Sequence, residues 1–450
     1  MNGIGTQRRA GVLLHPTALP SGRLDGDATR FIDWLGECGF GVWQMLPLGP
    51  PVVGLSPYSS ASAFAGHAGL VPAESAAQAS HSDIPVADVW LDDYVLFATL
   101  KQRLGGAPWW QWPEPLRERE PGALAQARES LAVQIQQLKS EQAEFFGHFA
   151  RLRALAHASS VSLFGDLPLF VADDSADVWA HPQWFKLHRD GPERGRPRVV
   201  AGVPPDYFSA TGQRWGNPIY DWDALARDGF RWWLDRVAVQ LAQFDLIRID
   251  HFRGLAASWE IPAADPVATG GTWVEVPGAA LLDAVNASLG EVPFVAEDLG
   301  IITPDVERLR ERHQLPGMKI LQFAFDSDDL NPYLPANHVE NCVVYTGTHD
   351  NDTTVGWYSK LAAGQRERVR SVLGMADDSE MPWAMIDAAL ASPARLAVIP
   401  MQDLLGLGTE ARFNTPGTTT GNWEWRFDWS QIDGRLTSRL RDRLRDHGRA

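Results

Sequence analysis

Short apolar or β-branched runs that stop at a turn or polar residue recur along the chain, at residues 12–15, 42–47, 161–166, 246–250, 294–297, 319–323, 343–346 and 396–400. Within each run the hydrophobic positions are nearly continuous rather than alternating. That is the pattern of a strand covered on both faces, as in a parallel sheet. Between many of the runs, apolar residues recur with the three-to-four-residue period of an amphipathic helix, at 28–38, 230–243, 279–289, 303–312 and 362–373. Eight strands alternating with helices predict an α/β fold, a parallel (β/α)₈ TIM barrel. Two spacings interrupt the alternation. Between the second and third predicted strands, residues about 84–157 are rich in Ala, Gln, Glu and Leu and read as a largely helical insertion. Between the third and fourth, residues about 172–222 are rich in Gly, Pro and Trp and too irregular for one crossover helix. Loops this long in a compact domain usually carry function, and in a barrel they lie on the face that receives substrate. The expectation is one barrel domain over residues 1–450 with these two insertions, ending in a solvated helix after Trp429.

Composition narrows the class. Of 450 residues, 45% are hydrophobic and 21% charged, the balance of an ordered globular chain. The formal net charge of -16 repels nucleic acid, polyphosphates and anionic membranes at long range, and leaves a neutral substrate unaffected. Two cysteines, Cys38 and Cys342, make no disulfide framework and read as buried free thiols in a reducing compartment. The apolar stretch after the basic N-terminal residues is too short for a signal peptide, and no run reaches the ~18 apolar residues of a membrane helix. A cytoplasmic location is expected, with no nucleic acid and no membrane as partner. The chain has 19 Trp against 7 Tyr. Indoles stack on the apolar faces of sugar rings, although most of these are expected to fill the core.

Three acidic residues stand at the polar ends of strand-like runs: Asp250 in LIRIDHFRG, Glu297 in PFVAEDLG and Asp350 in VVYTGTHDND, with Asp166 in LFGDLPLF as a fourth. In a parallel barrel all of them open onto the C-terminal face. Breaking a glycosidic bond needs one ionised carboxylate at the sugar carbon and one protonated carboxyl for the leaving oxygen. Arg248, two residues before Asp250, points the same way on a strand and favours its ionised form. Glu297 follows the apolar residues 294–296, where desolvation raises a carboxyl toward a general acid. Asp350, preceded by His349, suits sugar hydroxyls. A lone acid at a strand end is commonly a helix cap or a surface charge, so the weight rests on the conjunction. Two other classes use similar parts. A metal-dependent barrel gathers Asp and Glu around Mg²⁺, with Lys319 as a base, and chelation would disable it. A catalytically inert sugar-binding scaffold would keep the aromatics alone. Arg248 beside Asp250 makes a cation there less welcome, and an intact acid and nucleophile pair argues against the scaffold. The chain has no G-x-G-x-x-G, G-x-x-x-x-G-K-[ST], H-E-x-x-H or G-x-S-x-G.

From Gly11 to Arg426 the chain resembles the amylomaltase and plant disproportionating-enzyme family of 4-α-glucanotransferases, distant relatives of α-amylases. The motifs that carry the resemblance are VLLHPTALPSG, SPYSSASAFAG, GDLPLFVADDSADVWAHPQWF, PPDYFSATGQRWGNPIYDW, IRIDHFRG, VAEDLGIITPDV, PGMKILQFAFD, YTGTHDNDTTVGWY and FNTPGTTTGNWEWR. The resemblance implies transfer of α-1,4-glucan segments between a maltooligosaccharide donor and acceptor by a retaining double displacement, with no cofactor and no metal. It implies Asp250 as nucleophile, Glu297 as acid/base and Asp350 as the third carboxylate. It also implies that Arg248 and His349 hold the nucleophile and the sugar hydroxyls, and that Tyr58 is an aromatic platform beside the cleavage site. Gln213 and Trp215 match a loop that arches over the substrate, and Asn414 matches a binding position. Where relatives commonly carry Pro and then Asn-Pro after SPYSS, this chain has Ala61 and His67-Ala68, a departure that touches no catalytic carboxylate.

Overall fold

The computed structural model describes residue 5 and residues 7–72, 84–205 and 209–450. In chain order the strands are β1 (Arg9–Leu13), β2 (Val42–Gln44), β3 (Ser162–Leu167), β4 (Val199–Val203), β5 (Gln213–Pro218), β6 (Leu246–Ile249), β7 (Ala257–Pro262), β8 (Thr272–Glu275), β9 (Phe294–Ala296), β10 (Gly317–Ile320), β11 (Cys342–Tyr345) and β12 (Leu396–Pro400). Each of the eight predicted runs overlaps a strand of one sheet, in the order β10-β11-β12-β1-β2-β3-β6-β9, although 321–323 of the sixth run form a 3₁₀ turn after the strand, and every pairing in the sheet is parallel. At the remaining seam the Ala296 N–H donates to the Pro316 carbonyl at 2.8 Å, which brings β9 against the start of β10 and closes the barrel. Burial explains why these runs read as continuous: every residue of β2, β6, β9, β11 and β12 is buried. The outer helices include the five predicted ones, at Gly26–Cys38, Arg231–Gln243, Gly278–Leu289, Pro304–Arg312 and Ala363–Leu373. Gly165 on β3 lies where any Cβ would run into the Phe244 ring, so the bare backbone lets the Arg231–Gln243 helix and its end approach the strand closely.

Residues 87–158, between β2 and β3, are largely helical, at Ala87–Arg103, Glu114–Arg117, Pro121–Ser130 and Ala132–Ala158. The stretch 172–222 differs from its reading as irregular. It contains β4 and β5, which join β7 and β8 in a four-stranded antiparallel sheet of order β5-β4-β7-β8. These strands hide from a pattern search because Gly, Pro and charged residues interrupt them, the register slips between Val200 and Gly202, and no residue of β8 is fully buried. Gln213 and Trp215 sit on β5, and residues 206–208, shortly before them, lie outside the described residues. The terminal helix also differs from its reading as solvated. In Gly434–Asp446, Thr437, Leu440 and Leu444 are buried at three- and four-residue intervals, and the Trp34 Nε1–H donates to Thr437 Oγ1 at 3.1 Å. The charged face is what made that helix look solvent-borne.

Nine of the nineteen tryptophans are buried, and only Trp215 and Trp273 stand among the exposed large hydrophobic residues. Cys38 and Cys342 are buried free thiols. Among the described residues, no helix is long and apolar enough to cross a membrane.

Candidate active site

The C-terminal ends of β2, β3, β6, β9 and β11 converge, and each delivers a polar side chain. The register pairs Asp166 on β3 with Arg248 on β6 as direct neighbours. Arg248 Nη1 accordingly donates to both Asp166 carboxylate oxygens, at 2.8 and 2.7 Å. Its other terminal nitrogen lies 3.1 Å from Asp250 Oδ1. The guanidinium is thus a buried bridge between two carboxylates. Burial pulls Arg248 down, and the charges of Asp166 and Asp250 more than reverse it, so it stays charged.

Asp250 is one residue beyond β6, and Glu297 one beyond β9. The two turns are laced together. The Asp250 N–H donates to Leu167 O at 3.0 Å, and the Glu297 N–H donates to Ile249 O at 3.1 Å. The His251 N–H donates to Glu297 Oε2 at 2.6 Å. His251 adopts φ 51°, a left-handed conformation uncommon outside glycine, though His tolerates it better than most side chains. That turn aims the amide at the Glu297 carboxyl, an example of backbone strain collected at a working site.

Burial pushes Asp250 up to about 6, with Arg248 opposing it and the charges of Asp166 and Asp350 adding to it. This corrects the expectation drawn from Arg248 alone: desolvation outweighs the guanidinium, which is shared with Asp166. Burial pushes Glu297 further, up to about 8, again against Arg248 and with help from Asp250. At neutral pH the first carboxyl is ionised and the second protonated. The two environments therefore sort the pair into a base or nucleophile and an acid.

On the opposite wall, the Tyr58 hydroxyl donates to Asp166 Oδ2 at 2.7 Å and lies 3.0 Å from His349 Nε2. Since the hydroxyl hydrogen is committed to Asp166, His349 gives the second bond, which puts its proton on Nε2. The Tyr58 and His349 rings stack, with centroids 5.4 Å apart at 16°. Burial lowers the His349 pKa and keeps the imidazole neutral. Asp350 Oδ1 accepts from Asn414 Nδ2 at 2.6 Å and lies 3.4 Å from His349 Nε2. Arg412 fixes this corner by donating to the carbonyls of Asn414 and Asp350 at 2.7 and 2.6 Å. A recess of about 540 Å³ opens beside Tyr58 and Asp166, and another of about 450 Å³ beside His349 and Arg412.

Trp215 comes from the small sheet. Its ring meets the His251 imidazole edge-on, with centroids 4.7 Å apart at 89°, and its Nε1–H donates to Gln213 Oε1 at 3.1 Å. Gly216, next along β5, has φ 87°, a backbone conformation that glycine adopts without strain. Of the nine residues singled out from the sequence, Asp250, Glu297, Asp350, Arg248, His349, Tyr58 and Asn414 gather in one cleft. Trp215 reaches it through His251, and Gln213 supports Trp215. The central place of Asp166 was missed, although the residue had been noticed, because only the strand register reveals its pairing with Arg248. Arg412 and the left-handed turn at His251 left no sequence signal. Lys319 lies on β10 with its ammonium 5.4 Å from the centre of the Tyr333 ring. Among the described residues, no three His, Cys, Asp or Glu side chains are arranged to hold a metal ion.

The profile of the 4-alpha-glucanotransferase family matches residues 14–88 and 86–431. The 4-alpha-glucanotransferase of Thermus thermophilus is 46% identical, over 93% of this chain and 94% of that protein. The chloroplastic/amyloplastic 4-alpha-glucanotransferase of Solanum tuberosum is 39% identical, over 93% of this chain and 82% of that protein. The amylomaltase of Streptococcus agalactiae, solved with acarbose, superposes with a TM-score of 0.94 at 30% identity, covering 99% of this chain and 100% of that one. With its barrel, its motifs and a match along nearly its whole length, this chain belongs to the 4-alpha-glucanotransferase family.

Proposed function

We propose that this chain is an amylomaltase-type enzyme that moves α-1,4-glucan segments from a maltooligosaccharide donor to the 4-hydroxyl of an acceptor, with net retention. In the first half-reaction the Asp250 carboxylate attacks the anomeric carbon while Glu297 gives its proton to the departing glycosidic oxygen, leaving a glycosyl ester on Asp250. In the second, Glu297 takes the proton of the acceptor hydroxyl as that oxygen attacks the anomeric carbon, and Asp250 leaves as carboxylate. Asp350, held by Asn414 beside His349, takes sugar hydroxyls and favours the distorted ring of the transition state. Tyr58 is the platform under that ring. Arg248, anchored on Asp166, holds the nucleophile, and Gln213 and Trp215 cover the glycosyl ester against water. These steps call on no metal and no cofactor.

The observation that carries this reading is the split between the two carboxyls, about 6 for Asp250 and about 8 for Glu297. It leaves one ionised and one protonated at the pH of a cytoplasm, the compartment that two buried free thiols suit. Digestion of maltotriose by the purified protein tests the reading. Free glucose should appear together with a ladder of longer maltooligosaccharides, with little gain in reducing ends. A digest yielding only shorter sugars, with reducing ends rising in step, would assign a hydrolase instead.

A further inference from the structure

Of nineteen tryptophans, the two exposed ones occupy the two edge strands of the small antiparallel sheet, Trp215 on β5 and Trp273 on β8. Both lean on the segment that follows Asp250. Trp215 meets His251, and Trp273 covers Arg253, whose guanidinium carbon lies 3.8 Å from the indole centre. Arg253 is itself buried and pinned, donating to Ile301 O at 3.0 Å and Thr303 Oγ1 at 2.9 Å in the segment after Glu297. Trp259 closes one edge of the Trp273 ring, with centroids 5.2 Å apart at 63°. One face and one edge of this indole are therefore fixed, yet Trp273 keeps 38% of its surface in water, and Ile301, whose carbonyl accepts from Arg253, keeps 58%. A tryptophan needed only as a cover for Arg253 gains nothing from that exposure. A flat ring held rigid by a guanidinium, with its outer side bare, is prepared to stack on another flat apolar face with little ordering cost.

We infer that Trp273 is an outlying sugar platform, which takes a ring of a long α-1,4-glucan acceptor beyond the rings held at the carboxylates. The inference rests on the glucan-transfer reading. Trp273 is tied through Arg253 to the segments after both Asp250 and Glu297, whereas Tyr58 and His349 stand on the segments after β2 and β11. Glu297 protonates the departing oxygen, so its side of the cleft is where the leaving chain exits and the acceptor enters. A short acceptor ends before reaching Trp273, whereas a longer one lies across it.

The test uses the full chain with maltotriosyl fluoride as donor, and glucose or maltopentaose as acceptor. For Trp273→Ala, kcat/KM toward maltopentaose should fall about tenfold, the factor expected for roughly 60 Å² of apolar contact. Transfer to glucose should stay within about twofold, since that acceptor gains nothing from the same contact. Trp273→Leu, which keeps an apolar cover over Arg253 without a flat ring, should show the same split, and Trp273→Phe should keep most of the wild-type preference. Equal losses for both acceptors would mean that Trp273 only shapes the Arg253 segment, and no loss for either would mean that it binds nothing; both results overturn the platform. A wild-type protein that transfers to neither acceptor would instead sink the functional reading on which the platform rests.

Discussion

Replacing Glu297 by Gln should stabilise the fold, and increasingly so as the pH rises. The carboxyl stands at about 8 in the folded chain, against an ordinary 4.5, because burial penalises its charged form. At about 1.4 kcal/mol per tenfold change in proton affinity, that separates the two protonation states by about 5 kcal/mol. Glu297 is only half-buried. Water at the cleft screens part of the penalty and leaves about 2 kcal/mol. The sign follows from proton counts. Between the unfolded pKa of 4.5 and the folded value of about 8, the native chain binds more protons at this site than the unfolded one, so stability falls as the pH rises. The cost is absent below about pH 4.5 and complete above about pH 8. Gln is neutral throughout and keeps an oxygen to accept the His251 N–H. Urea unfolding, followed by tryptophan fluorescence at pH 4 and pH 9, should therefore show Glu297→Gln nearly level with wild type at the lower pH and about 2 kcal/mol more stable at the higher one. An advantage independent of pH, or a wild type that gains on the variant as the pH rises, would mean that Glu297 is ionised in the fold at neutrality. The assignment of Glu297 as acid would then have lost its proton.

Three further outcomes follow from the same geometry. The pH profile of kcat/KM for transfer should be a bell, rising through about 6 as Asp250 ionises and falling through about 8 as Glu297 deprotonates; a plateau extending below pH 5 would contradict the Asp250 environment. Trp215→Ala should slow transfer from maltotriose more than hydrolysis, read as the ratio of longer oligosaccharides to new reducing ends. Arg449 is buried and donates to the carbonyls of Arg9, Leu390, Ser392 and Ala394 at 2.8, 2.6, 2.7 and 2.9 Å. Arg449→Ala should cost about 3 kcal/mol in denaturant unfolding, because it strands several buried acceptors, while the activity of the folded protein stays unchanged.

The barrel was legible because its strands are buried on both sides, which writes an uninterrupted apolar run into the sequence. The antiparallel sheet was not. β5 reads QRWGNP and β8 reads TWVE. Edge strands with one loosely packed face carry no alternation strong enough to separate them from loop. The carboxylates Asp250, Glu297 and Asp350 were found because each follows an apolar run, and Arg248 was placed beside Asp250 by the two-residue repeat of a strand. That repeat describes one strand and says nothing about its neighbour. The stronger attachment of Arg248 to Asp166 depends on the β3–β6 register, which only the folded barrel sets. The raised pKa of Asp250 was illegible for a related reason: the sequence displays the adjacent charge, whereas the burial that outweighs it comes from the whole cleft. Trp273 carried no mark that distinguished it from eighteen other tryptophans until its exposure was visible.

The central claim is that Asp250 becomes covalently glycosylated while Glu297 handles the proton. Glu297→Gln incubated with an α-maltooligosyl fluoride tests it most directly, because fluoride departs without a protonated acid and the missing base slows release of the sugar. Mass analysis of the digested protein should find the glycosyl increment on the peptide containing Asp250, and it should vanish when Asp250→Asn is added to the same chain. An increment on any other carboxylate, or a variant that consumes the fluoride and inverts its anomeric centre without a trapped adduct, would contradict the account.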